Sequence, residues 1–581
     1  MAPSAVPSTI VEERDLRPRV LVAERISSDG VAILSGALNV DEKSGLSPEE
    51  LIFLIPTYDA LIIRSETKVT AAVLAAAKRL KVVARAGVGV DNVDVEAATK
   101  LGIIVVNSPS GNIVAAAEHT ITLLLAVARN IPAASSSLIA GQWQRSRLVG
   151  VEVNGKTLGI IGLGKVGVKV ARMAIGLGMK VIAMDPYASP AIAKSNNVEL
   201  IPDLASLLPI VDFLTIHTPL IASTLDLIST NELETMKPTA RILNVARGGV
   251  YNEAALLDAL NNKVIAGAAL DVFTSEPPTP GSAAEALTKH PLVVATPHLG
   301  ASTLEAQENV SLDVCAQILS ILTGGLPTSA VNAPLILPEE YARLQPFVRL
   351  IEKMGNLHMQ HYSSASPRDK RRPLSRHNSI QSQPVRSKVY SLCYEGELAG
   401  ISNTRPLFAA LIKGLTTTTL TSAGRDVNLV NAPLIASSRG IQVEETHSHS
   451  STTPYASLVT LRTTSADGEE QSISGYVSGS QIWIHRLGRF VTAFVPEGRL
   501  LVLHNFDEPG KIGGVGVVLG GRGVNIRFMS VAGLEEGDEG GSEGRGKEAL
   551  MILGVEGEVD EGVLGELRSL EGILDVVSVV L

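Results

Sequence analysis

The 581-residue sequence has only two cysteines, Cys315 and Cys393, and aromatic residues make up just 3% of it. Two cysteines cannot build the disulfide framework of a secreted domain and show no metal-ligand spacing, so no metal site is predicted. No apolar run approaches the roughly 18 residues that a membrane span requires. The N-terminus has no apolar signal core and carries Glu12, Glu13 and Asp15. The sequence therefore predicts a cytoplasmic protein without a membrane partner.

Basic residues are not in excess either. Lys and Arg total 50 against 59 Asp and Glu, which gives a formal net charge of −9. A protein that binds nucleic acid through its phosphates needs a basic surface, so no nucleic-acid partner is predicted. Hydrophobic residues reach 45%, and at roughly 150 residues per domain the length predicts about four domains with substantial cores.

Short apolar runs alternate with helical stretches from Arg19 onward, which is typical of βαβ units around a parallel sheet. The first series of predicted strands is VLVAE, ALIIRS, KVVARAG and IIVVNSP. The second series is LGIIGLG, KVIAMD, DFLTIHTP, ARILNVA, AGAALDV and LVVATP. These strands are almost wholly apolar, as strands covered by helices on both faces are. The pattern predicts an α/β protein with two doubly wound parallel-sheet domains of the flavodoxin or Rossmann type.

The sequence pattern changes after about residue 335. Residues 363–388 are rich in Ser, Pro and basic side chains, which predicts a disordered surface insertion. The alternating β-like segments around it predict an α+β intervening domain over residues 340–495. Residues 499–581 follow the order strand, helix, strand, strand, helix, strand, and predict a compact C-terminal βαββαβ domain.

The most specific local signal is an apolar strand that runs into GLGKVG, residues 162–167, and then into a helix. Gly162 permits a tight turn, Gly164 lets the backbone approach a pyrophosphate, and Gly167 allows close packing of helix and strand. The next predicted strand ends in Asp185, where an acid accepts hydrogen bonds from the adenosine ribose hydroxyls and repels a 2′-phosphate. The sequence therefore predicts NAD, rather than NADP, as the cofactor.

Three ionisable residues follow strands of the second series: Arg247 after ILNVA, Glu276 after ALDVFTS and His298 after VVATP. The C-terminal ends of parallel strands border the ligand crevice. Transfer of a hydride between a 2-hydroxy acid and NAD needs a group that takes the hydroxyl proton, and histidine does this near neutral pH. A carboxylate orients the histidine, and a guanidinium binds the substrate carboxylate with two hydrogen bonds. Each residue alone also has an ordinary structural interpretation, as an ion pair, a loop carboxylate or a cap.

The motifs NVARGGVYNEAALLDAL, AGAALDVFTSEPP and TPHLGASTLEAQ closely resemble the signatures of the D-isomer-specific 2-hydroxyacid dehydrogenases. RSETKVT, RAGVGVDNVD, NSPSGN and the C-terminal extension narrow the resemblance to the D-3-phosphoglycerate dehydrogenases of this family, in their long form. The resemblance implies NAD-dependent oxidation of 3-phospho-D-glycerate to 3-phosphohydroxypyruvate, the first step of the phosphorylated pathway of L-serine biosynthesis. The alternatives are another D-2-hydroxyacid dehydrogenase, such as a glycerate or hydroxypyruvate reductase, and a non-enzymatic NAD-sensing corepressor on the same fold.

The resemblance also implies the site residues, with Arg247, Glu276 and His298 as the catalytic triad. The implied cofactor-binding residues are Gly162, Gly164, Lys165, Val166, Gly167, Asp185, Thr218, Val245, Ala246, Arg247, Asp271, His298, Gly300, Ala301 and Val88. The implied substrate-binding residues are Arg64, Arg85, Gly87 and Arg145. Asp271 is expected at the nicotinamide carboxamide and Arg145 at the neighbouring subunit's site. Some relatives carry Thr at the position of Val88, a difference expected to tune cofactor affinity without abolishing binding.

The same resemblance implies the domain organisation and the partners. The substrate-binding domain is discontinuous, over residues 18–120 and 300–335, and the NAD-binding Rossmann domain covers residues 121–299. Residues 340–495 resemble the extra regulatory or substrate-binding-type domain of the long form. Residues 499–581 resemble an ACT domain, a regulatory module that binds amino acids between subunits. This implies a homodimer or homotetramer that is inhibited by L-serine, with Asp507 and Asn525 as the effector residues. The alternative is an ACT-like fold used only for assembly, with Asp507 and Asn525 as turn residues.

Overall fold

The computed structural model describes residues 17–362, 388–417, 427–449, 454–464, 468, 470–534 and 547–581. These residues form four β-sheets, of which the first two are wholly parallel. The predicted α/β class with two doubly wound domains is confirmed. The predicted disordered insertion, residues 363–388, lies outside the described residues except for Lys388. Within the described part of the chain, no single helix has the length and apolarity to cross a membrane, and one bent helix pair, Ile113–Ala128 with Ile131–Ile139, meets those criteria only together.

The first sheet covers the N-terminal part of the chain. Its strands are β1 Arg19–Val22, β2 Asn39–Glu42, β3 Ala60–Ile63, β4 Val82–Arg85 and β5 Ile104–Asn107, and its helices are α1 Ser28–Ser35, α2 Pro48–Leu54, α3 Ala71–Ala76 and α4 Val95–Lys100. The strand order is β2-β1-β3-β4-β5. The four predicted strands of the first series are present. The edge strand β2 was not predicted, because its sequence NVDE is polar and only partly buried.

The second sheet follows along the chain. Its helices are α5 Ile113–Ala128, α6 Ile131–Ile139, α7 Lys165–Gly176, α8 Pro190–Ser195, α9 Leu204–Leu207, α10 Thr230–Thr235, α11 Glu253–Asn261, α12 Ala283–Lys289 and α13 Leu304–Leu322. Its strands are β6 Thr157–Ile161, β7 Lys180–Met184, β8 Glu199–Leu200, β9 Phe213–Ile216, β10 Arg241–Asn244, β11 Gly267–Leu270 and β12 Val293–Ala295, in the order β12-β11-β10-β9-β6-β7-β8. The order reverses between β6 and β9, so a ligand crevice is expected at their C-terminal ends.

Two long helices connect the sheets. Helix α5 begins soon after β5 of the first sheet and packs against α7, β10 and β11 of the second. The predicted domain boundary, between residues 120 and 121, falls inside this helix. Apolar side chains of the helix on both sides of that boundary, such as Ala117 and Leu123, belong to the core of the second sheet. Helix α13 returns to the first sheet, where Val310, Val314 and Ile318 join its core beside α1.

The third sheet is mostly antiparallel. Its helices are α14 Pro338–Tyr362, α15 Arg405–Thr416 and α16 Ala432–Ser438, and its strands are β13 Lys388–Gly396, β14 Ile441–Ser448, β15 Ser457–Thr464, β16 Glu470–Ser478, β17 Gln481–Leu487 and β18 Phe490–Phe494. The order is β14-β13-β15-β16-β17-β18, with one parallel pair, β13 and β14. Helices α14 and α15 pack on each other and bury one face of this sheet.

The fourth sheet is antiparallel and has the predicted βαββαβ order. Its elements are β19 Arg499–Phe506, α17 Lys511–Gly521, β20 Asn525–Gly533, β21 Glu548–Glu556, α18 Glu561–Ser569 and β22 Ile573–Val580. The strand order is β20-β21-β19-β22. Leu350 of α14 shares one apolar core with Val502, Ile552 and Val579, so the third and fourth sheets are packed together through α14.

Candidate active site

The turn between β6 and α7 leaves room for a phosphate group. Gly162 has a φ of +91°, and a Cβ here would lie 2.8 Å from the carbonyl oxygen of His217. A Cβ at Gly167 would collide with the carbonyl oxygen of Gly162, so only glycine lets the helix approach the strand this closely. Gly164 is the N-cap of α7, and apart from its own and the adjacent residues no atom lies within 4 Å of the position where its Cβ would be. The first N–H groups of a helix have no acceptors within it, and this turn fits a pyrophosphate.

The first two residues of α7 lie at the same edge. Lys165 is exposed, and its Nζ donates a hydrogen bond of 2.9 Å to Ser110 Oγ, in the segment after β5 of the first sheet. Val166 is partly buried and packs against the core of the second sheet. The beginning of α7 therefore contacts both sides of the crevice.

Asp185 directly follows β7, at the neighbouring strand end. Its two carboxylate oxygens accept the N–H groups of Leu163 and Tyr187, each at 2.8 Å. The carboxylate therefore fixes the glycine turn relative to β7. Each oxygen has a second lone pair, so Asp185 remains able to accept hydrogen bonds from a ribose, which stays a prediction.

Several residues expected at the cofactor border this crevice. Thr218 lies beside Gly162, and its Oγ1 is buried without a hydrogen-bond partner among the described residues. A buried hydroxyl without a partner is uncommon and fits a polar group of a ligand. Val245 follows β10, and a Cβ at Gly300 would lie 2.9 Å from its Cγ1, so the two chain segments touch. Together with the glycine turn, these features fit NAD.

The remaining residues expected at the cofactor differ in how far they are exposed. Ala246 follows Val245 and its carbonyl oxygen accepts a hydrogen bond from Arg247. Ala301 is partly buried and Val88 is 38% exposed. Asp271 has no exposed surface, so a contact with the nicotinamide carboxamide would need a rearrangement and stays a prediction.

His298 and Glu276 form a close pair. His298 Nδ1 lies 2.7 Å from Glu276 Oε2, and Glu276 Oε1 accepts the N–H of Phe273 at 3.0 Å. Partial burial raises the pKa of the Glu276 carboxyl, but the hydrogen bonds from His298 and Phe273 outweigh it, so the net pKa is lowered. The pair is therefore an imidazole held by an ionised carboxylate.

Two guanidinium groups lie near this pair. Arg247 Nε donates to Asp91 Oδ2 at 3.1 Å, which joins the second sheet to the loop after β4. Arg85 Nε is buried and has no hydrogen-bond partner among the described residues. Burial, and then the charge of Arg247, lowers the pKa of Arg85 to about 10, while Asp91 opposes this shift. Two guanidinium groups, of which Arg85 has a buried Nε without a hydrogen-bond partner among the described residues, fit an anionic ligand.

A cavity of about 710 Å³ joins these groups between the two parallel sheets. From the second sheet it is lined by Arg247, Glu276 and His298. From the first sheet it is lined by Arg85 and Lys68, among others. The cavity thus combines a group that can take a proton with three cationic side chains. Among the described residues, no group of three or more His, Cys, Asp or Glu side chains could hold a metal ion.

The other predicted substrate residues differ in position. Gly87, with a φ of +151°, leaves space that the Arg85 guanidinium occupies, and a Cβ would collide with it. Arg64 follows β3, but its Nη1 lies 3.5 Å from the carbonyl oxygen of Arg25, and Arg64 is not among the residues that line the cavity. Arg145 is exposed in a short 3-10 turn and does not line the cavity of its own chain either.

Sequence reasoning did not assign Lys68, Asp91 or Asn92, which line the cavity. All three lie in the motifs RSETKVT and RAGVGVDNVD, close to the ends of β3 and β4. Polar residues just after buried parallel strands were the available signal, the same one that indicated Arg247 and His298.

The predicted effector residues lie at opposite ends of the fourth sheet. Phe506, just before Asp507, pairs with Glu548 of β21, whereas Asn525 pairs with Glu556. These two positions are eight residues apart on β21, which corresponds to about 26 Å along a strand. One chain therefore does not bring Asp507 and Asn525 together.

A glycine turn on a doubly wound sheet, facing a second parallel sheet across a cavity with a histidine–carboxylate pair, defines the class of NAD-binding 2-hydroxyacid dehydrogenases. Comparison with known sequences agrees. Residues 121–300 match the D-isomer specific 2-hydroxyacid dehydrogenase, NAD binding domain, and residues 379–484 match the D-3-phosphoglycerate dehydrogenase intervening domain.

Full-length relatives narrow the class. A D-3-phosphoglycerate dehydrogenase of Synechocystis sp. is 39% identical over 99% of this chain and 96% of its own length. That of Methanocaldococcus jannaschii is 39% identical over 96% of this chain and 99% of its own length. A solved structure from Thermus thermophilus covers 54% of this chain and 99% of its own, with 34% identity and a TM-score of 0.50. The chain belongs to the D-3-phosphoglycerate dehydrogenase family, and it is an NAD-dependent oxidoreductase as predicted.

Proposed function

We propose that this protein oxidises 3-phospho-D-glycerate to 3-phosphohydroxypyruvate with NAD, the first step of the phosphorylated pathway of L-serine biosynthesis. The observation that carries the proposal is the cavity, which the His298–Glu276 pair shares with Arg85 and Arg247. The pair can accept a proton, and the guanidinium groups can bind anionic groups of the substrate. The names of the two full-length relatives support this substrate.

Bound NAD supplies the acceptor for the hydride that leaves C2 of the substrate. Residues 162–167 would hold its pyrophosphate through backbone N–H groups. Asp185 would accept hydrogen bonds from its adenosine ribose. The Thr218 hydroxyl would donate to or accept from a polar group of the cofactor, since no protein group among the described residues satisfies it.

His298 would take the hydroxyl proton of the substrate as the C2–H bond breaks and the carbonyl forms. Its Nδ1 is tied to Glu276, which leaves Nε2 as the ring nitrogen for the proton. The ionised Glu276 carboxylate would orient the ring and stabilise the imidazolium. Glu276 thus acts through His298.

The cationic groups would bind the two ends of the substrate. A guanidinium binds a carboxylate with two parallel hydrogen bonds, which suits Arg247 beside the proton-accepting pair. Arg85 and Lys68 would attract the phosphate from the first sheet. Asp91 holds the Arg247 side chain in place through Nε.

The proposal is tested by measuring NADH formation by the purified full chain with 3-phosphoglycerate, D-glycerate and D-lactate. We expect the highest kcat/KM with 3-phosphoglycerate and NAD. A preference for D-glycerate would instead support a glycerate or hydroxypyruvate reductase. NAD binding without turnover of any 2-hydroxy acid would support the NAD-sensing corepressor.

We also propose a homodimer or homotetramer formed through helix α6 and the segment after it. Ile139 is 86% exposed and Trp143 is 83% exposed, and Leu138 and Val149 are exposed as well. Several large apolar side chains exposed together are typical of an interaction surface. Arg145 lies among them and would be offered to the partner's cavity. Ile139→Glu should convert the oligomer to a monomer in analytical ultracentrifugation, and an unchanged mass would contradict this surface.

L-serine is proposed as an inhibitor that binds between two C-terminal domains. Because Asp507 and Asn525 lie at opposite ends of one sheet, a shared site needs two copies of the chain. Asp507 would accept hydrogen bonds from the α-ammonium group, and Asn525 of the other copy would bind from across the interface. Calorimetric titration and initial rates on wild type, Asp507→Ala and Asn525→Ala test this. Absence of binding and inhibition at millimolar serine would contradict it.

The cytosolic location is likewise a proposal. Cys315 and Cys393 are free thiols, as is usual in a reducing compartment. Fractionation of cells that express the tagged protein tests it, and recovery with an organelle or membrane would contradict it.

A further inference from the structure

The loop that carries His298 has an unusual backbone conformation. His298 has a φ of +55°, in the left-handed region that non-glycine residues adopt only when their surroundings impose it. The His298 N–H donates to the backbone carbonyl of Asp271 at 2.9 Å. The position of the imidazole relative to the cavity therefore depends on what fixes this loop to β11.

The side chain of Asp271 is the second attachment of the loop. Its Oδ1 accepts the N–H of Leu299 at 2.7 Å and the hydroxyl of Thr296 at 2.5 Å, and its Oδ2 accepts the N–H of Gly300 at 2.8 Å. These donors lie on both sides of His298 in the sequence. One carboxylate thus holds both ends of the loop.

His119 of α5 supplies a further donor to this carboxylate. Its Nε2 lies 3.2 Å from Asp271 Oδ1 and 3.2 Å from Thr296 Oγ1, and its side chain is 17% exposed. Since an ionised carboxylate only accepts, Nε2 carries the hydrogen. Burial raises the pKa of Asp271, but the hydrogen bonds from His119, Thr296 and Leu299 outweigh it and keep the carboxylate ionised.

We infer that His119 is a positioning residue for the dehydrogenation, which it serves by holding Asp271 and Thr296 in the orientation that places His298 in the cavity. The inference rests on the proposed function, because it takes His298 as the group that accepts the substrate proton. His119 lies on α5, the helix that follows β5 of the first sheet and packs on β10 and β11 of the second, so the loop is fixed to this helix. His119 itself does not line the cavity.

The test compares His119→Phe, which keeps an aromatic ring and removes the donor, with His119→Gln, which keeps an N–H donor. Single-turnover NADH formation, followed by stopped flow, isolates the chemical step from product release. We expect His119→Phe to lower this rate about tenfold, with KM for the 2-hydroxy acid and the thermal midpoint little changed. His119→Gln should recover most of the rate. Thr122→Val, an exposed position on the same helix, is the matched control.

Thr296→Val provides a second variant in case His119→Phe folds poorly. It should lower the single-turnover rate to a similar extent, and its effect should not multiply with that of His119→Phe, because both act through Asp271. Rates within twofold of wild type for both single variants would overturn the inference. A lower NAD affinity, a higher KM and a lower thermal midpoint together with the lower rate would also overturn it, because the role of His119 would then be general stability.

A readout without turnover separates this inference from the proposed function. The rate at which diethyl pyrocarbonate modifies His298, followed by peptide mass mapping, reports the environment of the imidazole in the free protein. We expect faster modification in His119→Phe and a rate close to wild type in His119→Gln. Equal rates in all three proteins would overturn the inference. A wild type inactive with every 2-hydroxy acid, yet with the expected modification pattern, would refute only the proposed function.

Discussion

Each side of the cavity is held by one buried carboxylate, and the two carboxylates are satisfied differently. On the first sheet, Glu24 is 8% exposed and accepts the backbone N–H groups of Arg64, Glu66 and Thr67 at 2.8 to 3.2 Å. On the second sheet, Asp271 is fully buried and accepts two backbone N–H groups and two side-chain donors.

The two loops that these carboxylates hold have different tasks in the site, one in binding the substrate and the other in positioning the proton acceptor. The backbone N–H groups of the loop after β3 hold it to Glu24, and the side chain of Asn92 holds it as well, because Asn92 Nδ2 donates to the carbonyl oxygens of Arg64 and Thr67. This side presents cations to the cavity, and the two side chains that hold the loop after β3, Glu24 and Asn92, both belong to the first sheet's side. The loop that carries His298 is fixed together with α5. We therefore expect changes to the loop after β3 to alter KM for the 2-hydroxy acid, and changes to the loop that carries His298 to alter kcat.

The largest effect should follow from His298→Ala on the second side. General acid–base catalysis contributes a factor on the order of 10² to 10⁴, so kcat should fall by that amount with NAD affinity nearly intact. Steady-state rates and fluorescence titration with NAD measure the two quantities. His290→Ala, in the turn before β12, is the control. Activity within twofold of wild type would refute the assignment of His298.

The next effect concerns the cofactor on the second sheet. Asp185→Ser removes a charged acceptor, a loss of about 1.5–3 kcal/mol for a hydrogen bond to a charged group, so KM for NAD should rise at least tenfold. NADP should be used relatively better, because the charge that repels a 2′-phosphate is gone. Asp203→Ser is the control, since serine also caps the helix that Asp203 caps. An unchanged ratio of kcat/KM for NAD and NADP would mean that Asp185 does not contact the ribose.

The sequence alone predicts some parts of the two parallel sheets and of the site better than others. The central strands of both parallel sheets were predictable because their burial makes them continuously apolar, whereas the polar edge strands β2 and β8 gave no such signal. The glycine turn, Asp185 and the His298–Glu276 pair were indicated by strand ends. The network around Asp271 was not, because His119 and Thr296 are 177 residues apart and meet only through packing of α5 on the sheet. Arg64 was expected at the substrate, yet Lys68 lines the cavity in this structure.

A smaller effect is expected from Glu24→Gln on the first side. The amide nitrogen of Gln cannot accept, so at least one of three backbone N–H groups loses its partner and the loop that ends at Lys68 loosens. KM for 3-phosphoglycerate should rise about fivefold to tenfold, with kcat nearly unchanged. The ratio of KM for 3-phosphoglycerate to KM for D-glycerate should rise as well, because the cations of this loop face the phosphate. Glu42→Gln, at the exposed end of β2, is the control, and a fall in kcat with constant KM would contradict the division of tasks.

The smallest effect is the pH dependence that Glu24 adds to stability. Burial raises the pKa of Glu24, but its three backbone N–H donors outweigh burial and lower the folded-state pKa below the ordinary value of 4.5. A carboxyl with a lowered folded pKa stabilises the folded state above its unfolded pKa, and this contribution is lost as pH falls through the folded pKa. The difference in thermal midpoint between wild type and Glu24→Gln should therefore be constant from pH 8 to about pH 5.5 and shrink below it. Scanning calorimetry measures this difference in the transition that Glu24→Gln shifts, and a gap that widened as the pH fell would show that Glu24 is not held as a carboxylate.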